Sequence, residues 1–450
     1  MNIKAIDALQ IFDSRGNPTL EVWITLDNGI RGRGLVPSGA STGQFEALEL
    51  RDGDTKKYRG KSVFHAIANV TGEIASRLRG HDVFAQRDID NALIALDGTE
   101  NKSRLGANAI LGVSMAAVDA AAQCRGVPIY EYLADGKPVA LPLPEIQIIG
   151  GGLHANRAID IQDIMIVAIG AKCYEEALEI THNVYHATGA LLAERNQRCG
   201  IADEGGYWPQ VKSNQEALET CLAGIERAGY TPGVEAALSL DIAASDLYDE
   251  KRQSYSFKLE RRTFDSAAFC KLMVDWCQRY PIVALEDPAA DVDHETWKSL
   301  RGVLGNRITL IGDDLFVTNP RRIQTGVEEN LANAVLIKLN QIGTVSETID
   351  AIILTQSADW LPVVSARSAE TEDAFISHLA VAVNAPILKV GSFARSERMA
   401  KWNELLRIQH RMGSRCRFAG ASAIHDNGAW QYFRAPVVAA AAAEQRIVES

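Results

Sequence analysis

Hydrophobic and polar positions alternate along the start of the chain and then give way to helical spacing. Residues 5–12 and 19–26 alternate as strands do, and the turn at 14–18 between them predicts a β-hairpin. Residues 32–43 are rich in glycine and serine, which predicts a mobile loop without regular structure. Apolar and small residues at helical spacing from 108 to 123 predict a long, tightly packed helix.

Beyond a proline-containing link at 137–144, the pattern changes to short apolar runs separated by stretches long enough for a helix. Six such runs occupy residues 237–240, 282–285, 308–311, 334–337, 362–364 and 385–388. Buried strands that alternate with helices are typical of a parallel sheet covered by helices. With two earlier strands near 146 and 164 there are enough to close a TIM-like barrel. An open, doubly wound sheet is the alternative that this pattern leaves.

Length and composition narrow the class of protein. A chain of 450 residues with 47% hydrophobic and 23% charged residues is an ordinary globular one. We divide it into a first domain at 1–135, a barrel domain at 140–415 and a tail at 416–450. The start of the chain lacks the apolar segment of a signal peptide, and no apolar stretch approaches the roughly 18 residues that span a bilayer.

The net charge of the chain restricts its binding partners, and its cysteines indicate the cellular compartment. The net charge of −11 argues against nucleic acid and anionic membranes as main partners. It permits a small anionic substrate, since a local cation can reverse the sign inside a cleft. The seven cysteines are spread out and form no CxxC pair, which predicts reduced thiols in a cytoplasmic enzyme.

Acidic side chains follow three of the apolar runs, as Asp241, Glu286 and Asp313. In a parallel barrel these strand ends lie on one face, where active sites are built. Three adjacent carboxylates would raise one another's pKa, and a hard divalent cation with oxygen ligands offsets that repulsion. We therefore predict a Mg²⁺ site. The alternative is that each acid caps the helix that follows it.

Cationic side chains end the next three runs. Lys338 and Lys389 end the fourth and sixth, and Arg367 and Ser368 follow the fifth. A lysine beside a metal has a lowered pKa and can act as a general base, although a strand-end lysine can also reach solvent. The Arg-Ser pair suits a phosphate, or forms an ordinary surface loop. The glycine-rich turn before His154 and the acidic turn with Glu204 also have either a functional or a merely structural interpretation.

Eight segments of the chain resemble enolase, from near residue 1 to about 413. They are FDSRGNPT (12–19), VPSGASTG (36–43), EALELRD (46–52), LDGTENKSRLGANAILGVS (96–114), DEGG (203–206), LEDP (285–288), GDDLFVTN (312–319) and IKLNQIGT (337–344). The resemblance implies an α/β fold with a small N-terminal α+β capping domain. A modified TIM barrel of β2α2(βα)6 topology would follow it, and the enzyme would be a homodimer or a higher homo-oligomer.

The resemblance also implies roles for individual residues. The ligands of one or two Mg²⁺ ions would include Asp241, Glu286 and Asp313. Lys338 would remove the proton alpha to the substrate carboxylate, Glu204 would act on the leaving hydroxyl, and Asp163 stands at a functional glutamate position. The residues implied to bind a small phosphorylated or phosphonylated carboxylic acid are His154, Arg367, Ser368, Lys389 and Ser38.

The chain departs from the family pattern near the leaving hydroxyl. Ala366 replaces a histidine, Asp163 a glutamate and Gly150 an asparagine, and residues 289–292 differ as well. We hypothesise an enzyme that retains proton abstraction but is biosynthetic, similar to carboxyphosphonoenolpyruvate synthase of phosphonate antibiotic pathways. The alternatives are a glycolytic enolase (phosphopyruvate hydratase) and a non-catalytic binding protein on an enolase scaffold.

Overall fold

A three-stranded antiparallel sheet opens the chain. The computed structural model describes residues 1–39 and 43–424. The strands are β1 (Ile3–Phe12), β2 (Pro18–Leu26) and β3 (Arg31–Leu35), in the order β1-β2-β3. Phe12 pairs with Pro18 across the turn, so the predicted hairpin is confirmed.

Five helices accompany this sheet. They are α1 (Phe64–Asn69), α2 (Ala75–Leu78), α3 (Gln86–Asp97), α4 (Ala107–Arg125) and α5 (Ile129–Ala134), with a π-helical turn at Val70–Ile74 between the first two. The long helix predicted at 108–123 is confirmed as α4. Among the described residues, α4 alone has the length and composition of a membrane span, yet 83% of its apolar window is buried inside the protein, as in a core helix.

Strand β3 corrects the predicted irregular loop at 32–43 over residues 32–35, whereas residues 40–42 of that loop lie outside the described residues. Gly32 and Gly34 lie in β3, which packs directly against α4. A Cβ at Gly32 would lie 2.2 Å from the backbone nitrogen of Ala120, and one at Gly34 would lie 2.4 Å from the carbonyl oxygen of Gly112. The glycines therefore serve close packing of strand on helix rather than chain mobility.

The described residues of the second part of the chain form thirteen further strands. They are β4 (Leu143–Gly150), β5 (Asp163–Val167), β6 (Arg198–Ile201), β7 (Tyr207–Pro209), β8 (Ala237–Asp241), β9 (Tyr248–Asp249), β10 (Ser254–Phe257), β11 (Arg262–Asp265), β12 (Ile282–Glu286), β13 (Thr309–Gly312), β14 (Ala334–Ile337), β15 (Leu361–Ser365) and β16 (Ile387–Gly391). Every predicted barrel strand is present. Leu143 and Pro144, which fall within the predicted link at 137–144, belong to β4.

Eight of these strands close into a barrel in the order β4-β5-β8-β12-β13-β14-β15-β16, and β16 pairs with β4. Only β5 among them runs antiparallel to its neighbours. We call the end where the seven parallel strands finish the rim. Because the strands are buried on both sides, they read as continuous apolar runs in the sequence. Because β16 pairs with β4 and closes the barrel, the alternative of an open, doubly wound sheet is excluded.

Nine helices belong to this part of the described chain. They are α6 (Tyr174–Glu194), α7 (Asn214–Arg227), α8 (Ser266–Arg279), α9 (His294–Leu304), α10 (Pro320–Glu329), α11 (Leu339–Ile342), α12 (Val345–Ser357), α13 (Phe375–Ala382) and α14 (Ser396–Met412). Two strands, two helices and six strand-helix units give the predicted β2α2(βα)6 topology, with α11 as a short extra turn.

The predicted tail begins against the barrel. Leu141 donates a backbone hydrogen bond to the carbonyl of Arg417 (2.8 Å) and accepts one from the N–H of Ala419 (2.9 Å). Residues 425–450, which hold the aromatic segment and the alanine run of that tail, lie outside the described residues.

Candidate active site

Three carboxylates meet side by side on neighbouring strands at the rim. Asp241 is opposite Glu286 in the pairing of β8 with β12, and opposite Asp163 in the pairing of β5 with β8. All three side chains are buried. Because β5 is reversed, Asp163 reaches the rim from the start of its strand, whereas Asp241 and Glu286 reach it from the ends of theirs.

Two lysines pair with carboxylates at the rim. Lys389 Nζ lies 2.8 Å from Asp241 Oδ2 and 2.7 Å from Glu286 Oε2. Lys338 Nζ lies 2.5 Å from Oδ2 of Asp313, which follows β13. The predicted convergence of strand-end acids and lysines is confirmed, and neither lysine extends to bulk solvent, since both are largely buried.

The helix-capping alternative is not supported for these acids. The side chains that cap α8, α9 and α10 are Asp265, Asp293 and Asn319, each of which accepts a hydrogen bond from a backbone N–H in the first turn. The strand-end carboxylates therefore do not cap these helices, although Oδ1 of Asp241 accepts the backbone N–H of Ala243 at 3.0 Å.

The predicted lowering of the lysine pKa applies to a lysine beside a metal, and the protein residues by themselves shift the pKa in the opposite direction. Burial disfavours the charged form of Lys338, but the nearby carboxylates, Asp313 first and then Glu286, favour that form, and the net effect raises the pKa of the lysine. Lys389 behaves in the same way through Asp241 and Glu286. A neutral Lys338 therefore requires that Asp313 be engaged by another positive charge.

The acidic groups fit a divalent cation. Burial raises the pKa of Glu286 well above its ordinary value, and the charge of Asp241 raises it further. Added positive charge would relieve this cost, and carboxylate oxygens are the ligands that hard cations prefer. Two sets of described residues bring one ligand atom per residue within 4.8 Å of the others and could hold a metal: Asp287 with Asp313 and Asp314, and His154 with Asp163 and Glu204. The predicted trio of Asp241, Glu286 and Asp313 is not one of these sets.

Sequence reasoning missed Asp287 and Asp314. The carboxylate of Asp287 accepts hydrogen bonds from the backbone N–H groups of Asp313 and Asp314, both at 2.9 Å. It therefore holds the turn that carries Asp313. The sequence signal for Asp287 and Asp314 is that each directly follows a predicted metal ligand, in the segments LEDP and GDDLFVTN.

His154, Glu204 and Asp163 lie close together beside Lys389. His154 Nδ1 lies 3.8 Å from Glu204 Oε1, and burial lowers the pKa of the imidazole. Gln147 donates to Asp163, and its carbonyl oxygen accepts the N–H of Gly206 at 2.7 Å. Burial raises the pKa of Asp163 well above its ordinary value, and Glu204 adds to the rise. The two acids are thus held close together in a dry environment.

Arg367 projects from the loop after β15. Its Nη1 donates to Glu46 Oε2 and to Asn340 Oδ1, both at 2.8 Å. Glu46 comes from the first part of the chain and was not singled out in the sequence, although it opens the segment EALELRD. The pair with Glu46 ties the N-terminal part of the chain to the loop of Arg367.

Ser38 lies beside this loop but points elsewhere. Its backbone pairs with Ala369, and its hydroxyl donates to Glu49 Oε2 at 2.8 Å. It is not among the described residues that line the cavity at the rim. The structure therefore does not bring the Ser38 hydroxyl to the other predicted residues, because the Glu49 carboxylate holds it.

One small cavity collects most of the predicted residues. Those that line it are His154, Glu204, Asp313, Lys338, Arg367, Ser368 and Lys389. Ala366 lines it as well, where the family pattern has histidine. The carboxylates of Asp163, Asp241 and Glu286 lie behind it and connect to it through Lys389. A buried base, an acid, a guanidinium and a carboxylate site thus share one small polar space.

These features define an α/β-barrel enzyme. Its active-site cavity lies at the carboxyl ends of the strands and is lined by both carboxylates and lysine or arginine side chains. Family models of the enolase N-terminal domain and of the enolase C-terminal TIM barrel domain match residues 3–133 and 138–427. The chain is 52% identical over 417 residues to "Enolase 1" of Desulfitobacterium hafniense (strain Y51). The aligned residues make up 92% of this chain and 95% of that protein. The chain belongs to the enolase family, whose members are carbon–oxygen lyases.

Proposed function

We propose that the protein is a Mg²⁺-dependent cytoplasmic phosphopyruvate hydratase that interconverts 2-phosphoglycerate with phosphoenolpyruvate and water, and that it acts as a homo-oligomer. The observation that carries this proposal is the single cavity that joins Lys338, Glu204 and Arg367. The 52% identity to a protein named Enolase 1 also favours this hydratase over the biosynthetic synthase of our first hypothesis.

The metal would be held by Asp241, Glu286 and Asp313. Bound Mg²⁺ supplies positive charge against the negative charge that develops on the substrate carboxylate. Lys389, which contacts Asp241 and Glu286, adds a second positive charge next to the same ligands. The carboxyl group of the substrate would therefore lie at this side of the cavity.

The remaining residues would bind the substrate and move its protons. Arg367 and Ser368 would bind the phosphate, because a guanidinium fork and a hydroxyl match its oxygens. Neutral Lys338 would accept the proton from the carbon alpha to the carboxylate. Glu204 would donate a proton to the hydroxyl on the neighbouring carbon as the carbon–oxygen bond breaks, which releases water. The proton taken by Lys338 and the proton given by Glu204 balance the reaction.

The test is turnover of 2-phosphoglycerate by the full chain with Mg²⁺, followed by the absorbance of the enol product. We expect a kcat of roughly 1–10³ s⁻¹, the usual range for enzymes. Glu204→Gln keeps the size of the side chain but removes its acid function, and it should lose most of the turnover. Absence of turnover by the parent chain, in a preparation that binds Mg²⁺, would rule out the hydratase.

A second function, the biosynthetic synthase, is favoured by one observation. Ala366 leaves space in the cavity where the family pattern has an imidazole. Such space would admit a bulkier phosphorylated or phosphonylated acid. The discriminating experiment compares the parent with Ala366→His. If the parent is a poor hydratase that binds a phosphonate acid, and the histidine reverses both properties, the synthase is the better assignment.

A further inference from the structure

Two histidines lie one turn apart on α6, outside the cavity described above. His186 stands four positions after His182, so the two side chains project from the same face of the helix. Their ring centroids are 4.4 Å apart with an angle of 60° between the ring planes. Both side chains are exposed to solvent. Histidines at this spacing on one helical face are a recurrent arrangement for binding Zn²⁺.

The ring nitrogens needed for a metal are accessible. Nδ1 of His182 lies 3.2 Å from Asn183 Oδ1, and donation of that N–H leaves the lone pair on Nε2. In the part of the chain that the structure describes, His186 makes ring contacts with His182 and Tyr185 but no hydrogen bond. Burial and the neighbouring His182 lower the pKa of His186, which keeps that imidazole neutral near pH 7.

The surroundings separate this pair from the carboxylates at the rim. Phe393 packs edge-on against His182 at 5.9 Å, and Tyr185 donates its hydroxyl to the carbonyl of Gly205 at 3.1 Å. The pair therefore lies on the outer side of the loop that carries Glu204. A hard cation such as Mg²⁺ prefers the oxygen ligands inside, whereas imidazole nitrogen suits zinc, nickel and copper.

We propose that His182 and His186 form a chelating site for a borderline divalent cation of the Zn²⁺, Ni²⁺ and Cu²⁺ class. One nitrogen from each ring would bind the ion, and water would complete its coordination. The site is independent of the proposed hydratase reaction and of its Mg²⁺.

The experiment is calorimetric titration of Zn²⁺ into the full chain in excess Mg²⁺, which occupies the oxygen ligands. We expect one Zn²⁺ site whose affinity falls at least tenfold in His182→Ala and in His186→Ala. His410→Ala, which removes an exposed histidine of α14 without a histidine partner, should bind Zn²⁺ as the parent does. Unchanged affinity in both α6 variants would overturn the proposal.

A second readout identifies the ligand atoms directly. The electron paramagnetic resonance spectrum of the protein with one equivalent of Cu²⁺ should show coupling to two nitrogens, and each α6 variant should lose one of them. A spectrum with oxygen ligands only would place the ion at the carboxylates and contradict the proposed site.

Discussion

The guanidinium of Arg398 donates a hydrogen bond to the backbone carbonyl of Arg367 (2.5 Å). The same buried side chain also donates to the carbonyls of Ser368 (2.5 Å) and Val390 (2.9 Å). One cation thus fixes the backbone of the loop that carries the proposed phosphate ligands. Arg398 is therefore a positioning residue, since it acts through Arg367 and Ser368.

Replacing Arg398 by lysine should loosen this loop. Lysine keeps the charge but lacks the planar fork, so at least one carbonyl loses its donor. Hydrogen bonds to charged groups contribute about 1.5–3 kcal/mol each. We expect the KM for the phosphorylated substrate to rise at least tenfold while kcat falls less. Steady-state kinetics would show this, with Arg407→Lys, an exposed position on the same helix, as the control. Equal KM values would contradict the positioning role.

Removing the amine of Lys338 should stop proton abstraction. General-base groups contribute about 10²–10⁴-fold to rate, so kcat of Lys338→Ala should fall by that factor. The exchange of the substrate alpha proton with deuterated water, followed by NMR, reports the same step without requiring loss of the hydroxyl. Lys298→Ala, a change at a partly exposed lysine outside the cavity, should leave exchange unaltered. Exchange at the parent rate in the Lys338 variant would exclude this lysine as the base.

Chelation of divalent cations should abolish activity, and Mg²⁺ should restore it. Binding to the folded state at 100 times Kd stabilises a protein by about 2.7 kcal/mol, so the melting temperature should rise with Mg²⁺ concentration. Glu286→Gln retains the shape of the side chain but removes one ligand charge, and it should reduce the rise. A melting temperature that is independent of Mg²⁺ in the parent would show that these carboxylates do not hold the ion.

Asp373 makes stability depend on pH. Burial raises the pKa of its carboxyl from 3.8 to about 6. The folded state therefore favours the protonated form of Asp373. The protonated carboxyl contributes to the stability of the fold at low pH, and this contribution is lost as the pH rises through about 6. Two pKa units correspond to about 3 kcal/mol.

Asparagine at position 373 cannot ionise, so Asp373→Asn should be more stable than the parent above pH 6. The gain should shrink as pH falls towards 4. Unfolding by urea at several pH values measures it, and Asp135→Asn, at an exposed position, is the control. A gain that does not change with pH would assign the effect to something other than ionisation.

The barrel was predictable from the sequence because its buried parallel strands leave continuous apolar runs, each followed by a polar residue at the rim. The acids and lysines at those strand ends were predictable for the same reason. Strand β3 was not, since Gly32 and Gly34 carry no local signal for a strand, and only the backbone of α4 explains their presence.

Contacts between distant segments were also beyond the sequence pattern. Glu46 meets Arg367 across 321 positions of the chain, and no periodicity reports such a pair. The direction of the lysine pKa shift depends on whether a carboxylate or a metal is the nearer charge, which only the three-dimensional arrangement decides. Ser38 was placed in the site by resemblance, but its hydroxyl is held by Glu49.

The reversal of β5 has a consequence for how this fold can diverge. The connection from Gly150 to Asp163 begins and ends at the rim, so its length can change without altering the direction or register of any barrel strand. Ile159 and Ile161 anchor it in the core, whereas Leu153 is exposed. Insertions near Leu153 would reshape the chamber beside His154 at little cost to folding, which makes this connection a natural place for selection or design to alter which acid the enzyme accepts.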